Sequence, residues 1–163
     1  MTGLIRGLRT ALTARPRALG PATARELAWA LPALLATAWA GGLLRPTPPP
    51  PTADLLQLAA VLFIAPALLE ELLFRGLLIR RDRHRRWQLL LSTALFVLWH
   101  PLQVVTIGPP WARAFLDPAF LLAVAVLGLA NARLYAATGS LWPPVALHWL
   151  VVLTWKALLG GPF

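Results

Sequence analysis

The stretch Ala67-Leu-Leu-Glu-Glu-Leu-Leu-Phe-Arg-Gly-Leu-Leu-Ile79 sets two adjacent carboxylates and a guanidinium into an otherwise apolar run. A charge at bilayer depth costs roughly 2.5–3.5 kcal/mol on insertion scales, so such a set inside a membrane marks a functional site. In a helix, Glu71 and Arg75 stand four residues apart on one face, acid first, where they neutralise each other. Glu70 points about 100° away, outside that pairing. The spacing therefore predicts Glu71 and Arg75 as a supporting pair and Glu70 as the working carboxylate.

The rest of the chain agrees with a membrane setting. Of 163 residues, 58% are hydrophobic and 13% charged, a balance outside that of soluble domains. Each crossing of the hydrocarbon core takes roughly 20 residues. The chain thus reads as an all-α integral membrane protein, a single bundle of about five transmembrane helices with an N-terminal amphipathic segment. The expected spans are 27–44, 55–79, 88–107, 119–137 and 145–159. Residues 1–26, with Arg6, Arg9, Arg15, Arg17 and Arg25, form the basic amphipathic cytoplasmic segment. Residues 27–163 form the transmembrane core, its first span read as uncleaved.

Three of the four loops between the spans have a chemistry of their own. Arg45-Pro-Thr-Pro-Pro-Pro-Pro-Thr52 is a stiff extended loop, because proline lacks the backbone donor. Arg80-Arg-Asp-Arg-His-Arg-Arg-Trp87 carries five arginines in eight residues and belongs in the cytoplasm by the positive-inside rule. Gly139 to Pro144 reads as a turn. An odd number of spans then leaves the N-terminus cytoplasmic and the C-terminus outside. The net charge of +9 does not imply a nucleic-acid partner, since the arginines sit in short segments between apolar runs. The absence of cysteine excludes disulfides, thiolate metal sites and a cysteine nucleophile.

Two further spans carry imidazoles, His100 in Phe96-Val-Leu-Trp-His100 and His148 near the start of the last span. Rise along the helices puts Glu70 and His100 near the same depth, at about 1.5 Å per residue. His148 reads as shallower, reaching that level only if the turn before it dips into the protein or the last helix tilts. If the three converge, in a site reached from the cytoplasmic half, Glu70 removes a proton from water, His100 orients that water and His148 donates to the oxyanion. Glu and His chains also serve proton-coupled transporters. The lack of an internal repeat argues against that alternative.

In order, Glu70-Glu71 with Arg75 and Gly76, Phe96 with His100, and Thr138-Gly-Ser-Leu-Trp142 leading to His148 resemble the motifs of a known family. It is that of the CAAX-protease and bacteriocin-processing (CPBP, or Abi) intramembrane endopeptidases, which includes the Ras-converting CAAX endopeptidase. The resemblance covers about Ala67 to Leu153. It implies hydrolysis of a peptide bond near the C-terminus or leader of a membrane-anchored or apolar-tailed protein, in the lipid bilayer and, for bacterial relatives, the inner membrane. It also implies that the first Glu and the middle His, here Glu70 and His100, activate water. Such chemistry needs no cofactor. A zinc site of one Glu and two His is the less favoured option, because the contiguous His-Glu-x-x-His pattern is missing. The family places Asn or Asp four residues after its last His, where this chain has Val152. Either Asn131 on the neighbouring span substitutes, or the chain is a slower member, or it is a non-enzymatic membrane scaffold or immunity protein.

Overall fold

The structure, a computed structural model, describes residues 2–16, 20–80, 85–106, 108 and 110–162. Arg17 and the middle of the arginine-rich loop, His84 included, lie outside the described residues. The described chain is all helix and loop: α1 (Thr2–Thr13), α2 (Pro21–Ala40), α3 (Thr52–Gly76), α4 (Arg86–Thr106), a 3-10 turn (Pro110–Leu116), α5 (Pro118–Thr138) and α6 (Trp142–Leu158).

Three of these, α3, α4 and α5, are long and apolar enough to cross a membrane. Five spans were expected. The other two helices expected as spans run beside these three; α2 carries Arg25 and Glu26 in its first turns and α6 has 17 residues. Helix α5 is the axis of the bundle and packs against α2, α3, α4 and α6. Its start is fixed by Asp117, whose carboxylate accepts from the backbone N–H groups of Ala119 and Phe120, with Pro118 at the first helical position. Its end is fixed by Gly139, which takes the left-handed conformation at φ 65°.

Helix α2 starts at Pro21, with proline in its first turn, and takes Glu26 into the bundle. Glu26 is 1% exposed and accepts from Arg133 Nε and Nη2 at 2.6 and 3.1 Å and from Trp29 Nε1 at 2.7 Å. A bidentate guanidinium satisfies a carboxylate that would otherwise be stranded in an apolar interface. At the other end of α2, a Cβ on Gly41 would fall 2.2 Å from that of Ala119, so glycine permits the close approach to α5.

Hydrogen bonds sort the loops into two ends. Leu43 accepts from Trp155 Nε1, and the N–H groups of Arg45 and Thr47 donate to Leu159 and Leu158, which pins the proline-rich loop to the end of α6. At the opposite end, Ser140 Oγ donates to Ala14 O and Trp142 Nε1 to Leu12 O, so α1 covers the turn between α5 and α6. Thr138, Ser140 and Leu141 are fully buried there, with Ala11 packed against Ile79, Tyr135 and Leu141. That cover answers the depth problem at His148: the turn sits inside protein, where irregular backbone is tolerated.

Candidate active site

Helix α3 is not one regular helix. Ala65 departs from helical geometry at φ −130°, ψ 112°, as proline at 66 disfavours the α conformation in the residue before it. The hydrogen-bond ladder is widened over Phe63–Leu68 and again over Leu72–Gly76, leaving Leu69–Glu71 as a short α-helical island. Such widened turns re-aim side chains and are common at functional sites. The last carbonyls of this segment are met from α4: Ser92 Oγ donates to Phe74 O at 2.8 Å and Gln88 Nε2 to Leu78 O at 3.4 Å.

Glu71 is the hub of the buried polar group. Its Oε1 accepts from Asn131 Nδ2 at 2.8 Å and bonds His148 Nδ1 at 2.9 Å, while Oε2 lies 3.2 Å from Arg75 Nε. Glu71, Arg75 and Asn131 are fully buried. Arg75 also donates from Nη2 to Gly128 O at 2.8 Å and lies 4.4 Å over the Phe96 ring. A Cβ on Gly128 would come within 3.0 Å of Phe96 Cδ1 and 3.6 Å of Arg75 Nη2, so this glycine leaves room for both.

Glu70 faces the other way, into a cavity. Its Oε1 accepts from Trp99 Nε1 at 3.0 Å. Its Oε2 has no hydrogen-bond partner among the described residues and lies 3.9 Å from His148 Nε2. That gap is too long for a direct hydrogen bond, and Oε2 is itself buried. An ionised carboxylate only accepts, so the Glu71 contact fixes the proton of His148 on Nδ1 and turns Nε2 to Glu70. His100 is fixed in the same sense. Its Nδ1 bonds the Phe96 carbonyl at 2.9 Å, another pure acceptor, which leaves Nε2 as the other ring nitrogen. Its ring packs edge-on against Phe96, Phe115 and Phe120, with centroids 5.1 to 5.5 Å away.

Glu70, His100 and His148 thus line one cavity of about 960 Å³. No hydrogen bond among the described residues joins His100 to the other two. Asn131, committed to Glu71, is not in the cavity wall, whereas Val152 is. The cavity extends away from the arginine-rich end, past Leu43, Trp111, Phe115 and Leu159 at the opposite end of the bundle. The expected approach from the arginine-rich side is therefore corrected, since α1 and the 138–142 turn close that side. Leu31, Leu35, Val61 and Leu69 line it while being at least 43% exposed, so it also opens sideways between α2 and α3. Sequence reasoning missed Trp99, whose signal was a tryptophan in mid-span rather than at an interface.

Among the described residues no group of three His, Cys, Asp or Glu side chains is arranged to hold a metal ion.

A family model described as type II CAAX prenyl endopeptidase, Rce1-like, matches residues 52–154, a range that holds Glu70, Glu71, Arg75, Phe96, Trp99, His100, Asn131, His148 and Val152. No curated protein and no solved structure matches the chain.

Proposed function

The chain belongs to the Rce1-like family of type II CAAX prenyl endopeptidases, intramembrane proteases, and from that premise we propose that its cavity hydrolyses a peptide bond near the C-terminus or leader of a membrane-anchored or apolar-tailed protein. The observation that carries this reading is Glu70 Oε2, buried without a hydrogen-bond partner among the described residues and 3.9 Å from His148 Nε2 at the wall of a largely apolar cavity. Water admitted beside Glu70 with the substrate attacks the carbonyl carbon as Glu70 takes its proton and His100 Nε2 orients it. His148 stabilises the oxyanion that develops on the carbonyl. When the carbon–nitrogen bond breaks, the proton on Glu70 passes to the leaving amine. No covalent intermediate forms. The arginines near one end support a bacterial inner-membrane orientation with the N-terminus in the cytoplasm and the C-terminus outside. The test compares membrane-protein C-termini in cells carrying the wild-type or Glu70→Gln chain. A new C-terminus that needs Glu70 is expected, and identical C-termini would remove the proposal.

The same reading assigns no cofactor. Each histidine directs Nδ1 to an acceptor within the protein, and Arg75 supplies fixed positive charge beside Glu71. Dialysis against EDTA or 1,10-phenanthroline is expected to leave the hydrolysis rate unchanged; loss restored by zinc would overturn this.

Val152 favours a second reading. It lines the cavity one turn after His148 and has no hydrogen-bond donor, where one oxyanion donor is worth about 10²–10³ in rate. Val152→Asn is expected to raise hydrolysis by up to that factor. No gain on a panel of peptides, together with no wild-type hydrolysis, would favour a non-enzymatic scaffold.

A further inference from the structure

The two ends of the bundle differ in charge. One end holds the segment 1–25 and the loop 80–87, each with five arginines in its sequence. Among the described residues Arg9, Arg15, Arg80, Arg85 and Arg86 are exposed there. The other end holds the proline-rich loop, the 3-10 turn and the end of α6, and its arginines are Arg45 and Arg113, with Asp54 and Asp117 beside them in the same loops and helix starts. By the positive-inside rule the first end faces the cytoplasm and the second faces away from it.

The cavity closes on the cytoplasmic end and opens on the other. Thr138, Ser140 and Leu141 are fully buried, and α1 is bonded across their turn through Ala14 O and Leu12 O. Helix α3 adds a second barrier, since Glu71, Phe74 and Arg75, which follow Glu70 toward that end, are all buried. At the far end Leu43, Leu44, Gln103, Trp111 and Leu159 line the cavity and are only half-buried, so its mouth lies there. Along α6, His148 stands six residues, roughly 9 Å, from the closed end at Trp142 and ten residues, roughly 15 Å, from the open end at Leu158. The shorter route to the reacting groups is thus the blocked one.

A polypeptide backbone reaches such a site only along a wet or protein-lined path, because its polar groups are not tolerated bare in hydrocarbon. The side opening between α2 and α3, edged by Leu31, Leu35, Val61 and Leu69, suits an apolar segment still held in the lipid. The two openings together fit a chain that is tethered in the bilayer and approaches from the mouth.

We propose that the cavity is entered from the non-cytoplasmic side of the membrane, so that its substrates are exported proteins tethered by an apolar segment, and not chains presented by the cytoplasm. The substrate class rests on the endopeptidase reading above, whereas the side of entry rests on the closure of one end and the charge of the two.

The chain has no cysteine, so single Thr47→Cys, Val152→Cys and Arg85→Cys variants give a clean test with a membrane-impermeant, positively charged methanethiosulfonate reagent. Thr47 marks the open end, Arg85 the closed end and Val152 the cavity wall one turn beyond His148. On intact spheroplasts the reagent is expected to label Thr47→Cys and Val152→Cys and to leave Arg85→Cys unlabelled; inside-out vesicles should give the reverse. Labelling of Val152→Cys from the cytoplasmic face, from both faces or from neither overturns the side of entry, whatever cleavage shows. Membrane proteins whose termini change with Glu70→Gln should carry a secretion signal and be degraded by protease added to spheroplasts, and cytoplasmic ones would overturn the substrate class. Labelling of Val152→Cys from outside alone, with no terminus that depends on Glu70, removes the endopeptidase reading and leaves the side of entry standing.

Discussion

Glu70→Gln is expected to lower peptide hydrolysis by at least about 10²–10⁴, the usual contribution of a general base, while the protein accumulates in the membrane as before. The substitution keeps the side chain's length, and its amide oxygen still accepts from Trp99 Nε1, so the bond at 3.0 Å is retained. What is lost is the oxygen at the Oε2 position, which has no hydrogen-bond partner among the described residues. Removing a charge from such a place relieves a desolvation penalty. The variant should therefore unfold at the same temperature as wild type or higher. A residue kept only for the fold would show the reverse, lower stability with no defined catalytic loss. Following peptide products by mass, with thermal unfolding of the same sample in detergent, separates the two. Wild-type turnover by the purified variant would end Glu70's role as base.

How much of this was legible in the sequence depends on how local each feature is. Four-residue helical spacing places Glu71 beside Arg75, and their atoms lie 3.2 Å apart. The start and end of α5 follow from Asp117, Pro118 and Gly139, all local signals. Pairings across long separations were not legible. Glu26 meets Arg133 across the α2–α5 interface, and no periodicity in either segment announces it. The depth of His148 was misjudged because rise per residue was counted from a turn assumed to lie at the surface. Burial of that turn depends on α1, distant in sequence. The widened turns of α3 were hidden too, since Pro66 signals a break but not how the ladder closes around it. The direction of the cavity was the largest miss, because charge bias reports topology and not which end of a bundle is plugged.

Arg75→Met is expected to cost about 3–5 kcal/mol of stability, because it leaves the Glu71 carboxylate buried without its cation. Both side chains are fully buried, so solvent cannot take over from the lost partner. The double variant Glu71→Leu/Arg75→Met should recover most of that loss. Arg75 Nη1 and Asn131 Oδ1 have no hydrogen-bond partners among the described residues, and a partly satisfied ionic network is often no more stable than apolar groups of similar size. Hydrolysis should not recover with it. Without Glu71 no carboxylate accepts from His148 Nδ1, and the ring is free to move its proton or turn Nε2 away from Glu70. A folded but inactive double variant would locate the function of the pair in positioning His148 rather than in holding the bundle together. Strict additivity of the two single losses in the unfolding cycle would refute the coupling, and restored hydrolysis in the double variant would refute the positioning role.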